Sequence, residues 1–222
     1  MSWTVIQQHF LAESEYVRTE SKKDSIVLHH TAGGHNPIWT VNTWGNDTRG
    51  RIATAFTVGG RSTSGKSDSS SDGLVVMAFE PKYWAWHLGV KGTNGKLDKK
   101  SIGIEICNYG PITLGKDGKF YNYVKKPMPE SDVYDLGTIW RGYRYFHKYT
   151  ELQIESLRHL LGWISQEFGI SLNKSTPWNI DSFNVSKDAL NGAGGLWTHV
   201  NYRKDKTDCH PQPELIQMLN SL

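Results

Sequence analysis

The tightest constraint on this chain is a short apolar run that ends in two histidines. Ser25-Ile26-Val27-Leu28 is apolar and β-branched, so it reads as a buried strand. His29-His30-Thr31-Ala32-Gly33-Gly34 ends it, the glycines breaking the strand. An α/β fold places its chemistry at the C-terminal ends of such strands. Side chains alternate along a strand, so His29 and His30 point opposite ways and at most one of them faces a given site.

A second segment concentrates metal-binding chemistry. Thr198 to Pro211 packs His199, Lys206, Asp208, Cys209 and His210 into one stretch near the C-terminus. Zinc takes imidazole nitrogen and thiolate sulfur, and a catalytic zinc needs three protein ligands and an open position. His199 and Cys209 are candidate ligands. Taken alone the segment also reads as a polar loop, its spacing being longer than that of zinc-finger knuckles.

The rest of the pattern is a mixed α/β alternation. Ala53–Val58, Leu74–Phe79 and Ile102–Cys107 read as strands, the first two forming a hairpin with a long Ser- and Gly-rich tip. Pro37–Trp44 reads as a short helix. Thr150–Phe168 is the clearest helix: Leu157, Leu160, Leu161, Ile164 and Phe168 share a face, Thr150 and Gln153 form a capping box, and Gly169 stops it. Pro213–Leu222 closes the chain as another short helix. Residues 108–149 read as irregular, with Lys116-Asp117-Gly118-Lys119 as a hairpin turn.

Composition narrows the function. The 222 residues suit one domain over 1–222, with residues 1–24 as an N-terminal extension. A net charge of +3 is mild, and no basic run is interleaved with aromatics, so nucleic acid is not an expected partner. Two cysteines exclude a disulfide framework, and Cys107, in an apolar run, reads as a core residue. The N-terminus lacks a basic stretch followed by an apolar one, and no stretch is long enough to span a membrane. The expectation is a monomer made in the cytoplasm, without membrane attachment. Gly60–Ser67 matches the phosphate-loop pattern, but the Ser- and Asp-rich run after it cannot form the helix such a loop needs.

Collected in order, the pieces resemble the zinc-dependent N-acetylmuramoyl-L-alanine amidases shared by phage endolysins and peptidoglycan-recognition proteins. Ile26–Ala32 resembles the ligand-bearing strand and Thr54–Gly59 the second strand. Trp84-Ala85-Trp86-His87-Leu88-Gly89 resembles the A-W-H-x-G corner, and Ser101-Ile102-Gly103-Ile104-Glu105 the S-I-G-I-E strand. Tyr149–Gln153 resembles the start of the long helix, and His199–Cys209 the last ligand pair. The resemblance implies an α/β fold with a mixed central sheet, helices on both faces and zinc at the strand ends.

It also implies roles. His29, His199 and Cys209 would hold Zn2+, and Glu105 would act as general base, because the second-strand position of the catalytic tyrosine found in some members is Thr54 here. Lys206 would steady the oxyanion, although it lies three residues before Cys209 where the family lysine lies two before the third ligand. That spacing fits Asp208, which competes with Cys209; thiolate softness favours Cys209, and His210 is a weaker candidate. Thr54, Trp86 and His87 would line the substrate cleft. Residues 176–198 are expected to form a long loop near the cleft, with Trp178 against a sugar ring or, alternatively, pinning the loop to the core. The partner would be peptidoglycan, glycan strand and stem peptide, reached by a phage-type route to the cell wall. The alternative is a non-catalytic peptidoglycan-binding module of the same fold.

Overall fold

The computed structural model describes residues 6–63 and 69–222. In chain order its strands are β1 (Gln7–Gln8), β2 (Ser25–His30), β3 (Phe56–Val58), β4 (Val75–Met77), β5 (Ser101–Ile106), β6 (Pro111–Leu114), β7 (Phe120–Tyr121), β8 (Pro127–Met128), β9 (Val133–Trp140), β10 (Tyr143–His147) and β11 (Gly195–Thr198). The helices are α1 (Pro37–Gly45), α2 (Lys96–Lys100), α3 (Glu151–Phe168), α4 (Lys187–Leu190) and α5 (Pro213–Leu219). Six strands form the main sheet in the order β1-β4-β3-β5-β2-β11. Its pairs are parallel except the β3–β4 hairpin. The phosphate-loop match runs into residues 64–68, outside the described residues.

Alternation along β2 splits its side chains between two cores. Ile26 and Leu28 pack with Ile102, Ile104 and Phe56 against Leu157, Leu160, Leu161 and Ile164 of α3. Val27 packs on the other side with Leu88, Leu97 of α2 and Ala189 of α4. Helices therefore cover both faces, the arrangement a sheet with buried parallel strands requires. The capping box of α3 forms as read: Thr150 accepts from the Gln153 amide, and Gly169 ends the helix in the left-handed region. The N-terminal segment joins this core through the β1–β4 pairing and the buried side chains of Leu11 and Tyr16.

The stretch expected to be irregular is a second sheet. Residues 111–147 fold into five antiparallel strands in the order β8-β7-β6-β10-β9, around Ile112, Met128 and Val133. Its core is small, and β9 alternates poorly, with Gly137 at positive φ and three consecutive exposed residues. A strand with so little buried face leaves almost no period-2 signal. The turn at Lys116–Lys119 does connect β6 to β7, the Gly115 amide donating to the Lys119 carbonyl at 2.8 Å.

Candidate active site

Three parallel neighbours deliver the site. In the β2–β5 register His29 stands opposite Glu105, and Leu28 stands opposite Thr198 in the β2–β11 register. His199 follows β11 directly, so His29, Glu105 and His199 meet at the carboxyl ends of adjacent strands, where an α/β sheet opens a crevice. The chain then loops out and returns, the Val200 amide donating to the Asp208 carbonyl at 3.0 Å.

Among the described residues, His29, His199 and Asp208 form a buried group of possible metal ligands. The atoms face one another: His29 Nδ1 lies 2.9 Å from His199 Nδ1. Asp208 Oδ2 lies 2.8 Å from His199 Nδ1 and 3.2 Å from His29 Nδ1. A tetrahedral zinc with bonds of about 2.0–2.1 Å spaces its ligands about 3.3 Å apart, close to these edges.

The outward nitrogens fix which lone pairs face inward. Ser101 donates to the Leu97 carbonyl at 2.8 Å, so its oxygen accepts from His87 Nε2 at 2.8 Å. His87 Nδ1 must then accept from His29 Nε2 at 2.9 Å, which leaves His29 Nδ1 as a lone pair. His199 Nε2 donates to the Leu88 carbonyl at 2.9 Å, leaving its Nδ1 inward too. Such partners set tautomer and ring orientation in metal sites. Gly103 gives His87 its room: a Cβ there would stand 3.1 Å from His87 Nδ1 and 2.7 Å from the Thr54 methyl.

Charge completes the case that this donor set fits a cation. Burial, then His199, lowers the His29 pKa to about 4, so the ring is neutral. Burial opposes ionisation of Asp208, but the imidazoles of His199 and His29 outweigh it and hold its carboxyl well below the usual range. Two imidazole lone pairs and a carboxylate repel one another unless a cation sits among them. A proton satisfies that weakly; a metal ion satisfies all three at once.

Glu105 stands beside this group. Burial and the Asp208 charge push its pKa well up, against the pull of Lys206, and Oε2 has no hydrogen-bond partner. Thr54, Trp86, His87, Glu105, Lys206 and the three candidate ligands line one open cleft of about 370 Å³. Trp86 is well exposed there, while the Thr54 hydroxyl is buried and donates to the Phe56 carbonyl at 2.9 Å.

Two expected site residues stand elsewhere. Cys209 is fully buried in the main core beside the Tyr149 hydroxyl, and burial pushes its thiol well above the usual range. Softness ranks ligands only when both reach one point, and it is the Asp208 carboxylate that meets His29 and His199. Trp178 is pinned to the end of α5: its amide donates to Asn220 Oδ1 at 2.6 Å, and Asn220 Nδ2 donates to its carbonyl at 2.9 Å. Its ring packs on Phe183 with Lys174 Nζ 3.6 Å from the ring centroid. None of residues 176–198 is among the residues that line the cleft. His210 is stacked between Phe146 and Tyr149, away from the ligand triangle.

A family model described as N-acetylmuramoyl-L-alanine amidase matches residues 19–212. The chain belongs to that family. The amidase is an enzyme that acts on peptidoglycan. Its fold is similar to solved structures of low identity. PlyL is 12% identical with a TM-score of 0.54, over 97% of each chain. A mutant endolysin from Bacillus subtilis is 16% identical with a TM-score of 0.51, over 93% of this chain and 90% of that one. The Staphylococcus aureus hydrolase AmiA, solved in complex with its ligand, is 13% identical with a TM-score of 0.53, over 99% of this chain and 83% of its own. At such identities the likeness speaks to fold. Compared by sequence with curated proteins, the amidase has no match. No helix among the described residues is long and apolar enough to cross a membrane.

Sequence reasoning missed several residues of the site. Arg49, gripped by Asp47, lines the cleft mouth with Trp44, and Asp205 and Thr207 line it from the ligand loop. The Leu88 carbonyl that orients His199 is backbone, which no residue type announces. Asp98 holds the corner that carries it: the His87 and Leu88 amides both donate to its Oδ1 at 2.9 Å.

Proposed function

We propose that this amidase is zinc-dependent and hydrolyses the amide between the lactyl group of N-acetylmuramic acid and L-alanine of the stem peptide. His29, His199 and Asp208 hold the zinc, with Asp208 rather than Cys209 as the third ligand. The observation that carries the reading is the convergence of three buried acceptor atoms, two imidazole and one carboxylate, beside a buried carboxyl with a free oxygen.

Zinc bound there supplies Lewis acidity, polarising a carbonyl and making water nucleophilic near neutral pH. Glu105 takes a proton from the water that attacks the amide carbon and returns it to the alanine nitrogen as the C–N bond breaks. Glu105, whose charged form burial disfavours, would hold that carboxylate form with a dication bound beside it. Lys206, which lines the same cleft, would steady the oxygen on which negative charge grows. Trp86, His87 and Thr54 wall the cleft, Trp86 offering an exposed ring to substrate and His87 holding His29. The enzyme works as a monomer on the cell wall, delivered by a phage-type route.

The test pairs zinc content with release of new amino termini from purified cell wall. One zinc per chain, with L-alanine amino termini appearing and lost on chelation, is the expected result. New reducing ends without amino termini would overturn the assignment of the bond, and full activity in chelator would overturn the metal.

A further inference from the structure

We infer that Arg141, at the tip of the second sheet, is a positioning residue for the loop that carries Lys206 and Asp208. Arg141 and Gly142 form the two-residue turn between β9 and β10, both at positive φ (49° and 85°). Positive φ at both central positions is the hairpin turn that favours Asn-Gly, and an arginine there works against its backbone preference. What the guanidinium reaches accounts for its presence.

From that tip it enters the interior of the ligand loop. Nη1 donates to the carbonyls of Lys204 at 2.7 Å, Lys206 at 3.0 Å and Arg203 at 3.3 Å. Nη2 donates to the carbonyls of Val200 at 3.3 Å and Phe183 at 3.4 Å. Four of these five acceptors lie between His199 and Asp208. The Trp140 ring backs the cation from behind, 5.2 Å from centroid to guanidinium carbon.

Carbonyls that converge on one point repel each other unless a cation lies among them. The two terminal nitrogens of the planar fork carry four N–H groups toward these five acceptors, so one hydrogen of Nη1 is shared between two carbonyls, while the Nε–H is buried without a partner; a lysine ammonium is a point charge with three donors. Within the loop the backbone supplies few bonds of its own: Tyr202 and Arg203 donate to His199, Lys206 donates to Arg203, and Val200 closes onto Asp208. Arg141 therefore sets where the backbone of residues 200–206 runs, and with it the approach of the Lys206 ammonium and the Asp208 carboxylate to the cleft. The second sheet becomes a buttress for the site.

The inference rests on the amidase reading above, so its test includes readouts independent of activity. The full chain would be compared with Arg141→Ala, Arg141→Lys and Arg144→Ala. Arg144 lies on the same hairpin and pairs with Asp135 at the surface, so its loss controls for charge and hairpin stability. In Arg141→Ala, amides of residues 200–208 should exchange faster and zinc affinity, by chelator competition, should fall about tenfold, as for loss of an outer-shell partner. The kcat should fall on the order of 100-fold with little change in KM, as for a displaced catalytic group. Added methylguanidinium should restore part of the affinity and the rate; Arg141→Lys should not reach the parent; Arg144→Ala should match it. Parent-like zinc affinity and loop exchange in Arg141→Ala would overturn the inference, as would equal losses in Arg144→Ala. A parent that releases no amino termini would sink the amidase reading instead, while zinc affinity and exchange still decide the role of Arg141.

Discussion

Two clusters of buried histidines lie on opposite sides of β2, and among the described residues only one brings three possible metal ligands together. On one side His29 and His199 turn lone pairs toward each other and toward Asp208, their far nitrogens occupied by His87 and the Leu88 carbonyl. On the other, His30, His147 and His210 are just as buried. There His30 Nδ1 meets the Tyr149 hydroxyl at 3.3 Å, His147 Nδ1 accepts from the Tyr109 amide at 3.1 Å, and His210 stacks flat between Phe146 and Tyr149. Burial lowers His29, His30 and His147 alike, each to about 4. Desolvation does not distinguish the clusters; the direction of the lone pairs does. Neutral imidazoles become ligands where the second nitrogen is tied down as donor and a carboxylate closes the ring, and become packing where aromatic faces hold them.

The comparison breaks most cleanly by removing one histidine from each side. His29→Ala should lose both zinc and turnover, while His147→Gln, which can still accept from the Tyr109 amide, should keep zinc. Metal analysis of the two purified variants checks this; zinc retained in the first or lost in the second would erase the distinction.

Next in size is Glu105, the general base of the proposed reaction. Glu105→Gln should keep zinc and lose on the order of 100-fold or more in turnover, the contribution of a general base. Wild-type turnover in that variant would move the proton transfer elsewhere.

The smallest effect concerns the packing cluster alone. His147 titrates near 6.5 unfolded and near 4 folded. Between those values the unfolded chain binds a proton the folded chain refuses, so stability is full above about 6.5 and drains as pH falls toward 4. For one group that is roughly 3 kcal/mol at most. Melting temperatures from pH 7 to pH 4.5 should fall, and fall less steeply in His147→Gln; parallel curves would show that His147 is not part of the acid sensitivity.

The same contrast explains what was legible in the sequence. His29 announces itself because it ends a continuous apolar run, and Glu105 because it interrupts one. His199 was found through its neighbours in the Thr198–Pro211 segment. The capping box at Thr150 and Gln153 is local chemistry and survived intact. The second sheet was not legible, because strands with little buried face carry no clean alternation. Nor was the choice between Asp208 and Cys209, since softness favours the thiolate while the placement of two adjacent side chains depends on where each reaches. Trp178 reads as a sugar platform with core anchor as the alternative, and neither reading announces the backbone bonds to Asn220. Arg141 lay outside every pattern, because its acceptors are five carbonyls distant in sequence.

If His29 and His199 hold a zinc ion, reach and not softness selects its third ligand. Zinc content of Asp208→Ala and Cys209→Ala, each purified folded and equilibrated with one equivalent of metal, tests it directly. Asp208→Ala should lose its zinc, while Cys209→Ala should keep one ion per chain and show only a lower melting temperature from the cavity left in the core. Zinc held by Asp208→Ala and lost from Cys209→Ala would contradict it.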